Sequence, residues 1–184
     1  DYRELIGKVD ALSVVVPTPE HFHISRDFLE NKIDVLIEKP ITETLEEADT
    51  LIKVADYHDA MIQVGHLERF NPAVQALRPI VRKPRFFEAH RMGLFSPRSL
   101  DIDVVLDLMI HDIDIILDFV RSPVKSIQAN GVPVLSNDID VANARIQFEN
   151  GCVANVTASR VSMKSERKMR IFQPDAYITI DFQN

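Results

Sequence analysis

The 184 residues carry 28 acidic against 21 basic side chains, a net charge of −7, with 46% hydrophobic and 27% charged residues. That length fits one ordinary domain or parts of two, the composition is globular, and the acidic balance argues against general nucleic-acid binding while leaving room for a local basic pocket. A single cysteine, Cys152, excludes an internal disulfide and suits a reducing cytoplasm, and no apolar run or basic-then-apolar leader signals a membrane span or export.

In chain order, Leu12 to Val16 (LSVVV) reads as a short buried strand, stopped by Pro17, Thr18 and Pro19. Glu20 to Asn31 follows as a helix, and Asp34 to Ile37 as a second strand ending at Glu38-Lys39-Pro40. Thr44 with Glu47 makes a capping-box pattern that opens a helix to about His58. Met61 to Val64 is a third strand, closed by Gly65-His66. Strand, helix, strand, helix, strand at this spacing predicts a parallel sheet with crossover helices.

The texture changes after Phe70-Asn71-Pro72. A helix from about Pro72 to Val81 leads to a strand-like run, Arg85 to Arg91, then a polar loop, then the dense apolar segment Val104 to Val120. Strands are expected at 124–129, 141–148, 152–159, 168–172 and 177–182, with Asn150-Gly151 as a hairpin turn. The expected division is therefore 1–71, α/β, and 72–184, an α+β domain with a mostly antiparallel sheet. Cys152, following Gly151 in a strand-like stretch, reads as a small core residue rather than a nucleophile.

Within Val104–Val120, Asp107, His111, Asp114 and Asp118 fall at i, i+4, i+7 and i+11, one face of a helix that is apolar nearly all round. A histidine among acids on such a helix is a candidate proton-transfer device; the plain reading is a wet stripe on a packed helix. Ligands of open parallel sheets bind outside the carboxyl ends of the strands. Here those ends carry Thr18-Pro19, Glu38-Lys39-Pro40 and Gly65-His66-Leu67-Glu68-Arg69. Lys39, after a buried strand and pinned by Pro40, is placed to hold or relay a proton, against the plain reading of an edge lysine paired with Glu38. His23 is expected to point back towards the same edge and His66 to stand in the third exit loop. The six histidines show no metal spacing, and no metal is expected. Arg69, His90, Arg91, Arg98, Arg160 and Lys164 gather in the loops of the second part, where guanidinium forks suit diphosphate or carboxylate oxygens. No G-x-G-x-x-G is present among five glycines, so a pyrophosphate-cradling turn is missing from these residues.

Taken in order, Thr18-Pro19 with His23 resembles a T-P-x-x-x-H turn, Glu38-Lys39-Pro40 an E-K-P signature, and Asp107-x-x-x-His111 a D-x-x-x-H signature. Together they resemble the Gfo/Idh/MocA family of NAD(P)-dependent sugar oxidoreductases, over the whole chain. The resemblance implies the C-terminal part of a Rossmann dinucleotide-binding domain, its glycine-rich loop lying before Asp1, followed by a substrate-binding and oligomerisation domain. It implies a chain truncated at the N-terminus, which alone should bind NAD weakly. Gly65 to Pro72 and the run from His90 to Leu117 are most similar to the branch acting at C3 of UDP-linked N-acetylglucosamine, associated with making the 2,3-diamino sugar of lipid A.

The resemblance further implies a soluble cytoplasmic homo-oligomer and NAD, with NADP open, as cofactor. Thr18, Pro19, His23, Glu38, Lys39, Pro40 and His66 would lie towards the cofactor. His111 would be the base and Lys39 its positive partner, or the reverse, with Asp107 orienting substrate. Arg69, Arg91 and Arg98, beside Asp107 and His111, would meet the substrate, the arginines at its diphosphate. The alternatives are another family substrate (an inositol, a free hexose or another UDP-sugar), a non-catalytic NAD or sugar sensor, or an assembly module.

Overall fold

The computed structural model describes residues 1–96 and 102–183. The chain divides into two compact units, Asp1–His66 and Leu67–Asn184. The short 3-10 turn Leu67–Phe70 packs on helices of the second unit.

The first unit holds β1 (Ala11–Val14), α1 (His21–Leu29), β2 (Asp34–Glu38), α2 (Leu45–His58) and β3 (Ile62–Gly65). The three strands are parallel in the order β1-β2-β3. Thr44 caps α2 as its spacing predicts: its hydroxyl accepts from the Glu47 N–H at 3.2 Å while the Glu47 carboxylate accepts from the Thr44 N–H. Val14, Val35 and Ile37 pack with Phe28 and Leu29 of α1 and Leu51 of α2 on one face. The expectation of a fully buried first strand is corrected here. Both helices cover the same face, so Leu36 stays 39% exposed on the other, and Val15, beyond the end of β1, is 72% exposed.

The second unit holds α3 (Pro72–Leu77), β4 (Phe86–Met92), α4 (Ile110–Val120), β5 (Val124–Val132), β6 (Val141–Phe148), β7 (Val153–Ser159), β8 (Glu166–Gln173) and β9 (Ala176–Asp181). Asn71 caps α3 through its side chain, and the helix stops at Leu77 instead of running to Val81 because Pro79 follows. The sheet order is β5-β6-β7-β4-β8-β9, antiparallel throughout except for the parallel pair β4–β7. Gly151, at φ 82°, takes the left-handed turn position between β6 and β7. One sheet face carries Phe87, Ala144, Ile146, Val156, Met169 and Ile171 against Met109, Ile115 and Ile116, and the alternation along β4, β6 and β7 follows from that single buried face, while β5 is exposed along its length. Among the described residues no helix is long and apolar enough to cross a membrane.

The apolar segment is not one regular helix. Val105–Met109 forms a π turn before α4, and the Asp103 carboxylate accepts from the Val105 and Leu106 N–H groups at its start. The strict i, i+4 spacing from Asp107 to His111 therefore crosses a change of pitch. Such turns recur at functional sites.

Candidate active site

In the first unit the polar groups gather where the sheet chemistry places them. β2 delivers Glu38-Lys39-Pro40 at its carboxyl end, with a cis Lys39–Pro40 bond. The Glu38 carboxylate turns back on its own loop: it accepts from the Lys39 N–H at 3.3 Å and packs over Gly65, where an added Cβ would come within 3.2 Å of it. Glu38 thus shapes the turn that carries Lys39. The half-buried Lys39 and His66 stand at this edge, and the buried Thr18 lies in the 3-10 turn Thr18–Glu20 after β1.

The two histidines at the start of α1 differ in burial. His23 is exposed, its ring edge against Phe22 at 5.3 Å between centroids. His21 is the buried one, 1% exposed, and its ring bridges two loops. Nδ1 lies 2.9 Å from the Pro40 carbonyl and Nε2 2.9 Å from the Val16 carbonyl. His21 therefore ties the exit of β1 to the loop after Lys39. Two histidines two positions apart at a helix start look alike in sequence, and only one of them faces inward.

In the second unit the acids of the helix separate by role. Asp112, off the predicted stripe, is the most buried of those on α4, and it holds Arg91 through two hydrogen bonds of 2.9 Å. Burial pushes the Asp112 carboxyl above the usual carboxylate range, with Arg91 pulling it back. Burial alone would loosen the Arg91 proton, but the Asp112 carboxylate more than offsets this and raises the guanidinium. Glu68 adds a third contact to Arg91 at 3.6 Å. Asp114 takes Arg69 in a fork of two 2.6 Å bonds, and Asp118 takes Arg78 at 2.9 Å. Arg91 is corrected from diphosphate ligand to buried internal pair, since at 2% exposed its fork is already occupied. The Arg69 fork is likewise turned on a carboxylate of its own unit. Arg98 lies outside the described residues.

Asp107 lines a cavity of about 340 Å³ within the second unit, with Gly93, Ser96, Arg160, Ser165 and Arg167. His111 stands half-buried in the first turn of α4. Arg160 is committed elsewhere: it donates to Asp140 at 2.8 Å, to the Ile102 carbonyl at 2.7 Å and to the Ser136 hydroxyl at 3.0 Å. Asp140 also accepts from three consecutive backbone N–H groups, Val134, Leu135 and Ser136. Although burial opposes it, these donors hold the Asp140 carboxyl far below the usual range. Arg167 was not legible as a cavity-lining residue, because it stands between Glu166 and Lys168 near the start of β8 and reads as solvated charge.

The first unit is a parallel sheet whose carboxyl ends, where open α/β folds bind ligands, present a loop-borne lysine, and the second is a helix-backed sheet with an acid and a histidine at a π turn. Residues 1–66 match the oxidoreductase family with an NAD-binding Rossmann fold, and residues 82–179 match the GFO/IDH/MocA C-terminal domain. The chain belongs to the Gfo/Idh/MocA oxidoreductase family. It is 43% identical over 98% of its length to the UDP-N-acetylglucosamine 3-dehydrogenase of Acidithiobacillus ferrooxidans, spanning 58% of that protein. The solved structure of that enzyme superposes with a TM-score of 0.93 at 42% identity, covering 100% of this chain and 61% of the other. A scyllo-inositol 2-dehydrogenase (NAD(+)) of Bacillus subtilis is 29% identical over 84% of the chain and 49% of the relative. The chain thus spans about half to three-fifths of the relatives it matches.

Proposed function

We propose that the intact gene product containing this chain removes a hydride from C3 of UDP-N-acetylglucosamine in an NAD-dependent reaction. The observation that carries this reading is the 43% identity, over 98% of the chain, to an enzyme named for that reaction. Lys39, Asp107 and His111 stand at loop, π-turn and helix positions suited to it. Oxidation of a secondary alcohol needs a base at the hydroxyl and a positive donor to steady the developing alkoxide. His111 is assigned as the base that takes the C3 hydroxyl proton. Lys39 is the cation that donates a hydrogen bond to the same oxygen, and Asp107 orients the sugar or His111.

The first unit suits the nicotinamide end of the cofactor: Thr18, Lys39 and His66 lie after the carboxyl ends of three parallel strands, where such ligands sit. NAD, when bound, accepts the hydride. Pro19 and Pro40 set the backbone of two of those exits, Glu38 and His21 hold the lysine's loop in place, and the exposed His23 is a weaker cofactor contact. Residues 1–71 would serve the cofactor and 72–184 the substrate. The 3-keto product would feed amination at C3, the step that leads to a 2,3-diamino sugar such as that of lipid A. A reducing cytoplasm accords with the buried thiol of Cys152, and the exposed face of the largely antiparallel sheet is the surface proposed for homo-oligomer formation, which light scattering would test.

The test is NADH formation by the intact protein with UDP-N-acetylglucosamine. Lys39→Ala and His111→Ala should each lower kcat by about 10²- to 10⁴-fold. Full turnover by either variant would falsify the assignment. The likeness to an inositol dehydrogenase supports a second reading, an inositol as substrate. Turnover on scyllo-inositol exceeding that on the UDP-sugar would favour it.

A further inference from the structure

The cavity beside Asp107 has a feature that the hydride transfer does not require. Most arginines of the second unit near the helix are already matched to a carboxylate: Arg69 to Asp114, Arg78 to Asp118, Arg91 to Asp112 and Arg160 to Asp140. Arg167 also lines the cavity, is exposed, and among the described residues is given no side-chain hydrogen bond or ion pair. Its place on the sheet makes this costly. In the β4–β8 register Arg167 lies directly opposite Arg91, and like charges facing each other across antiparallel strands are destabilising. Asp112 bonds directly only to Arg91 and attracts Arg167 from farther off, so among the described residues no carboxylate closes on the Arg167 fork at the wall of the pocket. Beside it on the same wall, Ser165 offers a hydroxyl, and Gly93 and Ser96 face in from the strand exit of β4.

We infer that Arg167 is the specificity-determining cation of this pocket: its guanidinium receives the anionic diphosphate of a nucleotide sugar whose ring lies towards Asp107. A neutral polyol or free hexose gives this arginine nothing to neutralise. A diphosphate supplies oxygens that match its fork, and the acidic protein keeps this positive charge local. The inference rests on the nucleotide-sugar reading above and names the residue that separates UDP-linked from free sugars. Arg167 does not take part in the hydride or proton transfer.

The test uses the intact protein. Arg167→Ala should raise KM for UDP-N-acetylglucosamine by about ten- to hundredfold while kcat and the KM for NAD stay within about threefold. Arg167→Lys, which keeps charge and strand but loses the fork, should fall between, and Arg167→Gln serves if the alanine variant fails to fold. By calorimetry, UDP should bind the wild type more tightly than uridine, and Arg167→Ala should remove that difference. An unchanged KM for the UDP-sugar in the variants, with an active wild type, overturns the role of Arg167 and leaves the proposed reaction standing. A wild type that binds UDP no more tightly than uridine and oxidises only free sugars or inositols overturns both.

Discussion

The two units solve the same problem, fixing polar groups beside an apolar core, by different chemistry. In the first, the ion pairs lie outside: Arg3–Asp27 has side chains 61% and 19% exposed, and Arg26–Glu30 is also at the surface. Its other joints run from side chain to backbone: the surface capping box on α2 and the buried His21 ring between two carbonyls. In the second unit the joints are charged and dry. Arg91–Asp112 has side chains 3% and 2% exposed, and Arg160–Asp140 has 5% and 0%. A buried charge is tolerated only when matched, so each such pair locks a helix or loop to one position on the sheet. The difference teaches where to look for chemistry: on α4 most acids are structural ties, and Asp107 is set apart by lying in the π turn on a cavity wall.

Breaking one partner of a dry pair gives the largest stability effect. Arg91→Met leaves Asp112 buried without its fork and should cost about 3–5 kcal/mol in chemical unfolding. The double variant Arg91→Met/Asp112→Leu should recover most of that loss, because both charges are gone. Asp27→Asn, in the exposed pair of the first unit, should cost no more than about 1 kcal/mol. Equal costs for the two single substitutions would erase the contrast between the units.

The His21 bridge should be the intermediate case. His21→Ala strands the Val16 and Pro40 carbonyls and should cost about 2 kcal/mol. Because the bridge ends on the residue after Lys39, the same variant should also lower kcat more than it raises the KM for NAD. A variant that loses stability with kcat intact would leave His21 a packing residue only.

This contrast also marks how far the sequence could be read. Local rules placed nearly every element: alternation for the strands of the second unit, Thr44 with Glu47 for the start of α2, Asn150-Gly151 for the hairpin, and Glu38-Lys39-Pro40 for a strand exit. What they could not place depends on distant partners. Asp112 looked like one more helix residue because its arginine is 21 positions away, and Arg69 looked available because Asp114 lies 45 positions on. The π turn leaves no periodic trace, since one change of pitch alters no residue type. The choice between His21 and His23, and the facing of Arg167 and Arg91, likewise follow from contacts across loops and cross-strand register rather than from spacing.

At neutral pH the effect at Cys152 vanishes, and it separates burial from charge pairing only as pH rises. Its thiol lies in the core of the second unit with no cation bonded to it, and burial pushes its pKa up to about 11. An unfolded cysteine titrates near ~8.5. Between these values the folded chain keeps a proton that the unfolded chain has released, so stability is fully present below about pH 8.5 and falls as pH rises towards 11. The loss should be on the order of 3 kcal/mol across that window, and Cys152→Ala should flatten the slope after a constant offset. At pH 8 the native thiol should react with a disulfide reagent far more slowly than the denatured one, since the thiolate is the reacting form. A native thiol that reacts at the denatured rate would mean that this part of the sheet opens readily, and the second unit could then not be the more tightly locked of the two.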